Sequence, residues 1–209
     1  MEQQAKMQTT QGAQQERTLT IKCTPTLVWY AADSIGATMA YEETASNPNM
    51  PNAVNPVTGD ISIRHMPQNA RFTDNIDITL VLDTSQLKDQ NGNPLTGSNV
   101  ARWALPSEGG TYTEPSGQQK HFGYFWFCQL NDAAHRAYDA SKPVTIDGME
   151  VARTDDLHIL IDDDTPSTAP AYAFCMAFVL PEYNNYYITI DPVISSRGVG
   201  NEPPMMLND

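Results

Sequence analysis

The chain has 209 residues, with 12 Lys+Arg against 25 Asp+Glu and a formal net charge of −13. That length fits one β-rich domain, leaves little room for two, and suffices to bury a core without disulfide staples. The acidic balance excludes a protein that neutralises a run of phosphates, so no nucleic-acid partner is expected. Apolar residues make up 40% and charged residues 18%, and the 15 Pro and 12 Gly favour turns and short strands over helix.

Residues 1–8 show no basic stretch followed by an apolar one, so no secretory signal is expected. No apolar run reaches the roughly 18 residues of a membrane helix, and no membrane span is expected. Residues 1–16 are rich in Gln, without apolar periodicity, and read as a flexible tail. Residues 17–23 alternate polar and apolar as a half-buried strand does, and 26–30 continue as an apolar strand. Between 42 and 60 stand Asn47-Pro48, Met50-Pro51, Asn55-Pro56 and Gly59-Asp60, which predict a long loop. Residues 61–65 alternate again. Residues 76–82 predict a strong strand with Ile76, Ile78, Leu80 and Leu82 on one face.

Asn91-Gly92 then marks a turn, because both residues tolerate positive φ. Asp89, Asn91 and Asn93 have the spacing of a calcium loop, but Pro94 occupies the place of the required glycine, which favours the turn. Residues 100–105 carry Arg102-Trp103, and 106–119 form a Gly/Ser/Pro/Glu loop. Residues 122–130 are aromatic and nearly all apolar, like a strand buried on both faces. Residues 131–140 are the one helical candidate, and Asp147-Gly148 predicts a hairpin turn. Residues 157–161 alternate, with His158 pointing outward, and 171–180 and 186–194 are the last two strands. Residues 198–209 read as an irregular tail. Nine or ten short strands with long loops give an all-β chain: an antiparallel β-sandwich over residues 17–197, immunoglobulin-like or jelly-roll-like.

Motifs for chemistry are scarce. There is no Gly-x-Gly-x-x-Gly, phosphate loop, His-Glu-x-x-His or Gly-x-Ser-x-Gly, and His65, His121, His135 and His158 have no ligand spacing. No catalytic residue, metal or cofactor is therefore expected. The acidic run Asp162-Asp163-Asp164 is the one candidate for calcium, weighed against a solvated loop that guards a sheet edge. Cys23, Cys128 and Cys175 lie in apolar segments without a Cys-x-x-Cys pair; they read as buried reduced thiols of a cytoplasmic protein, the rival being a disulfide in an oxidising compartment. Phe122, Phe125, Phe127, Phe174 and Phe178 read as core. Tyr124, Trp126, Tyr186 and Tyr187 are candidates for a sugar-stacking platform or an association surface. Met50, Met66, Met205 and Met206 fall in loops or the tail, where exposed Met supplies adaptable contact surface.

The run Tyr186-Tyr187-Ile188-Thr189-Ile190-Asp191-Pro192-Val193-Ile194 resembles the closing strand of the AidA/PixA inclusion-body family, and Val100-Ala101-Arg102-Trp103 resembles its Arg-Trp strand. Ser98-Asn99 stands where that family has Gly-Asp. The resemblance implies a bacterial cytoplasmic β-sandwich that accumulates in inclusions or particular growth states, and it brings no catalytic residue. The leading expectation is a non-enzymatic, self-associating protein with itself as partner. The alternative is a carbohydrate-binding module using surface aromatics and acidic loops. An enzyme assembled from distant strands is the third.

Overall fold

The computed structural model describes residues 14–31, 34–63, 66, 71–97, 100–105, 108, 110–113, 119–122, 125–130, 149–153, 155–162, 171–190 and 193–195. These carry thirteen strands: β1 (Gln15–Ala31), β2 (Ser34–Asn47), β3 (Ile61–Ser62), β4 (Phe72–Leu82), β5 (Arg102–Trp103), β6 (Gly110–Thr113), β7 (Gln119–Phe122), β8 (Phe125–Leu130), β9 (Met149–Arg153), β10 (Asp156–Asp162), β11 (Ala171–Leu180), β12 (Tyr186–Ile190) and β13 (Val193–Ser195). A 3-10 turn at Pro181–Tyr183 links β11 to β12. The fold is all-β. Among the described residues no helix is long and apolar enough to cross a membrane.

The first sheet has the order β2-β1-β4-β10-β9. Its inner rows follow directly from the alternation of the sequence. Leu19 stands beside Ile78 and Ile159, Ile21 beside Leu80 and Leu157, and Cys23 beside Leu82, all buried. The second sheet is built on β11. On one edge β12 and β13 pair with it in succession, at Met176–Leu180 and at 171–173. On the other edge β8 and β5 do the same, at 171–176 and at 178–179. β3 extends this sheet beyond β13. Phe174, Met176, Phe178 and Leu180 of β11 share one core with the inner residues of the first sheet. Trp103 is fully buried between the layers, and its indole N–H reaches the carbonyls of Leu80 at 3.0 Å and Asp155 at 3.2 Å.

Several expectations change. The sheets are mixed rather than purely antiparallel, because β1 runs parallel to β4 and β13 parallel to β3. After the β1–β2 hairpin the chain crosses over residues 48–71 before β4 forms, so β4 enters beside β1 in the same direction. β1 is continuous from Gln15, two residues inside the stretch expected as a tail, and runs through Pro25. Proline is tolerated there because Pro25 faces Met39 at a position where neither residue donates to the β1–β2 ladder. β2 extends to Asn47 and so occupies the start of the expected loop. Met50 and Met66, expected to be exposed, are 5% and 3% exposed. They plug the core because the punctuated segment folds back over it. On β11 every side chain from Phe174 to Leu180 is buried, and the side chains of 122–130, expected to be buried on both faces, lie outside the described residues. The helical candidate 131–140 and the Asp147-Gly148 turn lie outside the described residues.

Candidate functional site

β2 is an edge strand, and most of its free edge is covered. At the start, the Ile35 N–H donates to the Tyr186 hydroxyl at 3.2 Å, which ties β2 to β12. Further along, the Tyr41 N–H donates to the Pro56 carbonyl at 3.0 Å. Beyond that point the half-buried Glu43 holds the following loop: its carboxylate accepts the Ala53 N–H and the Ser46 hydroxyl, each at 2.9 Å. Ser46 in turn accepts the Met50 N–H at 2.8 Å. The loop closes through Asn55, whose side chain accepts the N–H groups of Val57 and Thr58. At Gly59 the backbone turns with φ +74° against the Tyr41 ring, so closely that a Cβ there would lie 2.4 Å from the ring.

Between those two ties the edge is open. The regular alternation of the β1–β2 ladder, with Ile35 and Tyr41 donating outward, turns the N–H groups of Ala37 and Met39 outward as well. Among the described residues neither has a hydrogen-bond partner. Here the edges of β2 and β12 diverge from their contact at Ile35 and Tyr186. They leave a groove of about 280 Å³ lined by Ala37, Met39, Tyr41, Phe178, Ile188 and Ile190, closed at the far end by Val57 and Thr58. Burial also holds the Tyr41 hydroxyl protonated, well above the usual phenol range.

Two other groupings are built from residues far apart in sequence. Trp29 and Tyr183 stack tilted with ring centroids 5.1 Å apart, and Trp29 donates to the Lys88 carbonyl at 3.3 Å. On the outer face of the second sheet, Arg102, Val179 and Tyr187 form one row across β5, β11 and β12. Glu108 bridges that row. It takes a bidentate pair from Arg102 at 2.7 and 2.8 Å, the Tyr187 hydroxyl at 2.7 Å and the Leu105 N–H at 2.6 Å. The guanidinium first, with the hydroxyl and amide donors, depresses the Glu108 carboxyl to about 2 even though burial opposes this.

The expected site residues divide accordingly. Tyr186 and Tyr187 do not form one platform, because consecutive strand residues face opposite ways: Tyr186 packs against the core and Tyr187 belongs to the outer row. Trp126 is opposite Cys175 on β8, and Asp162 closes β10. Tyr124, Asp163, Asp164, Met205 and Met206 lie outside the described residues. Among the described residues no three His, Cys, Asp or Glu side chains converge as metal ligands. Asp89 spends its carboxylate on its own turn, accepting the N–H groups of Asn91 and Asn93 at 2.8 Å. Cys23 and Cys175 are both buried. His158 does face outward and meets the Asp77 carboxylate at 2.9 Å.

Sequence reasoning missed β2 and Trp29. The alternation around Ile35, Ala37, Met39 and Tyr41 was the available signal for the strand. Compared with known proteins, the chain matches no family model, no curated protein and no solved structure.

Proposed function

We propose that this chain is a non-enzymatic, self-associating bacterial protein, cytoplasmic, of the kind that accumulates as an inclusion-body or stress- and stationary-phase product. The observation that carries this reading is the open stretch of β2 beside the groove, where the N–H groups of Ala37 and Met39 have no partner among the described residues while their side chains line the groove. An exposed edge of this kind gains hydrogen bonds and removes apolar surface from water when another strand is added. The buried free thiol of Cys23 suits a reducing compartment. The likeness of the Arg102-Trp103 strand and of residues 186–194 to the AidA/PixA family supports the same reading. Size-exclusion chromatography with light scattering over a concentration series tests it. A mass rising in multiples of the 23.1 kDa chain is expected; a constant monomer mass at every concentration overturns it.

The second reading is a carbohydrate-binding module, and the Trp29–Tyr183 pair favours it. Aromatic faces beside the polar turn at Asp89–Asn93 suit sugar stacking. Tryptophan fluorescence titrated with a panel of oligosaccharides tests this reading: a saturable change lost in Trp29→Ala supports it, and an unchanged spectrum rejects it.

A further inference from the structure

We infer that two copies of this chain join through β2, pairing antiparallel about a two-fold axis at Thr38. The inference rests on the self-association reading and names its surface. The free edge is limited by the Ile35 tie to Tyr186 and the Tyr41 tie to Pro56. Only Ala37 and Met39 lie between them with outward donors, and they are placed symmetrically about Thr38. Antiparallel strands exchange both hydrogen bonds between directly opposed residues that face one another. An axis at Thr38 sets Ala37 of each copy opposite Met39 of the other. Four hydrogen bonds then form, and both unpaired donors of each copy are used. No other residue of the window needs a partner, since Gly36, Thr38 and Ala40 direct their backbone groups to β1.

Side chains agree with this register. Natural edges are guarded by charge, proline or bulges, and the window 36–40 has no charge, no proline and no register shift. The acidic residues Glu42 and Glu43 begin four and five positions from the axis, and Glu42 is already paired with Lys22. Met39 shares the inner side of β2 with Ala37 and Tyr41 and lines the groove of about 280 Å³. In the paired arrangement the Met39 side chain of each copy enters the other's groove, between β2 and β12. An unbranched thioether adapts to such a space without a fixed shape. The first sheet of one copy then continues into the first sheet of the next.

The dimer is read in two ways that do not depend on each other. Thr38 is exposed and stands on the axis in a non-hydrogen-bonded pair, where opposed Cα atoms are about 4.5 Å apart, within disulfide reach. Thr38→Cys should therefore give a covalent dimer on mild oxidation, seen on a non-reducing gel and absent in wild type treated alike. Met39→Pro removes one outward N–H per copy and leaves the β1–β2 ladder untouched. It should weaken association about 30-fold or more, with unchanged circular dichroism. If Met39→Pro does not fold, Thr38→Lys, which opposes two charges on the axis, takes its place and should also yield monomer. A wild-type dimer whose Thr38→Cys variant does not cross-link, and which does not dissociate in the other variants, overturns the β2 interface and leaves self-association standing. A wild type that stays monomeric at every concentration overturns both.

Discussion

Glu108 shows how one side chain can hold a surface together. Its carboxylate accepts from Arg102, Tyr187 and the Leu105 N–H above the buried Val179. The folded-state pKa of about 2 lies below the ordinary 4.5. The stabilisation is therefore fully present above about pH 4.5 and is lost as pH falls through about 2. Allowing for solvent at this partly exposed site, it is on the order of 2 kcal/mol. Urea melts across that window should show the loss in wild type and not in Glu108→Gln, which should begin about 1–3 kcal/mol less stable because Arg102 loses its charged partner. Glycines give a second contrast. Gly59→Ala places a Cβ 2.4 Å from the Tyr41 ring at φ +74°, whereas Gly92 has φ +83° and open space around it. Thermal unfolding should put the first substitution at about 2–4 kcal/mol and the second near 1 kcal/mol. None of these partnerships was legible in the sequence. Residues 102, 108 and 187 meet only because β5 and β12 flank β11, and Trp29 and Tyr183 meet only because two turns fold to one end.

At the scale of the element, side-chain alternation carried most of what could be read. Ile76, Ile78, Leu80 and Leu82 are all buried on β4, and β10 and β11 stand where the apolar pattern places them. Leu80→Ala, at 1% exposure between Ile21 and Leu157, should cost about 2–5 kcal/mol in equilibrium unfolding. Punctuation misled where its effect depends on a neighbour. Pro25 lies inside β1 without ending it, because a proline breaks a strand only where its N–H is needed, and the partner decides which positions those are. Thr26, one residue on, pairs with Thr38 at a position that does donate to the ladder. Thr26→Pro should therefore lower stability by about 1–3 kcal/mol, while Pro25→Ala should stay within about 0.5 kcal/mol. If both cost the same in chemical denaturation, the assignment of donating positions along β1 is wrong. The 48–71 crossing and the parallel placement of β4 had no local signature, since they follow from which edge of β1 remains free after β2 has paired.

For the whole molecule, charge opposes what the edge favours. A formal charge of −13 makes two copies repel, and the repulsion acts through solvent over distances that salt controls. The screening length is about 10 Å at 0.1 M and about 3 Å at 1 M, so salt removes the long-range part and leaves the strand pairing, which involves neutral groups at contact. Lowering pH toward the isoelectric point near 4.5 acts in the same direction by reducing the charge itself. Acid does not first undo the fold through Glu108, because that carboxyl stays ionised until about 2. Between neutral pH and about 4.5, then, the Glu108 partnership persists while the repulsion falls. Sedimentation velocity at about 20 mM and about 500 mM salt, repeated at about pH 7.5 and about pH 5, should show the dimer fraction rising along both axes. Thr38→Lys should stay monomeric under all four conditions. A dimer fraction that falls with added salt would mean that the contact is held by opposite charges, and the neutral window of β2 would no longer account for it.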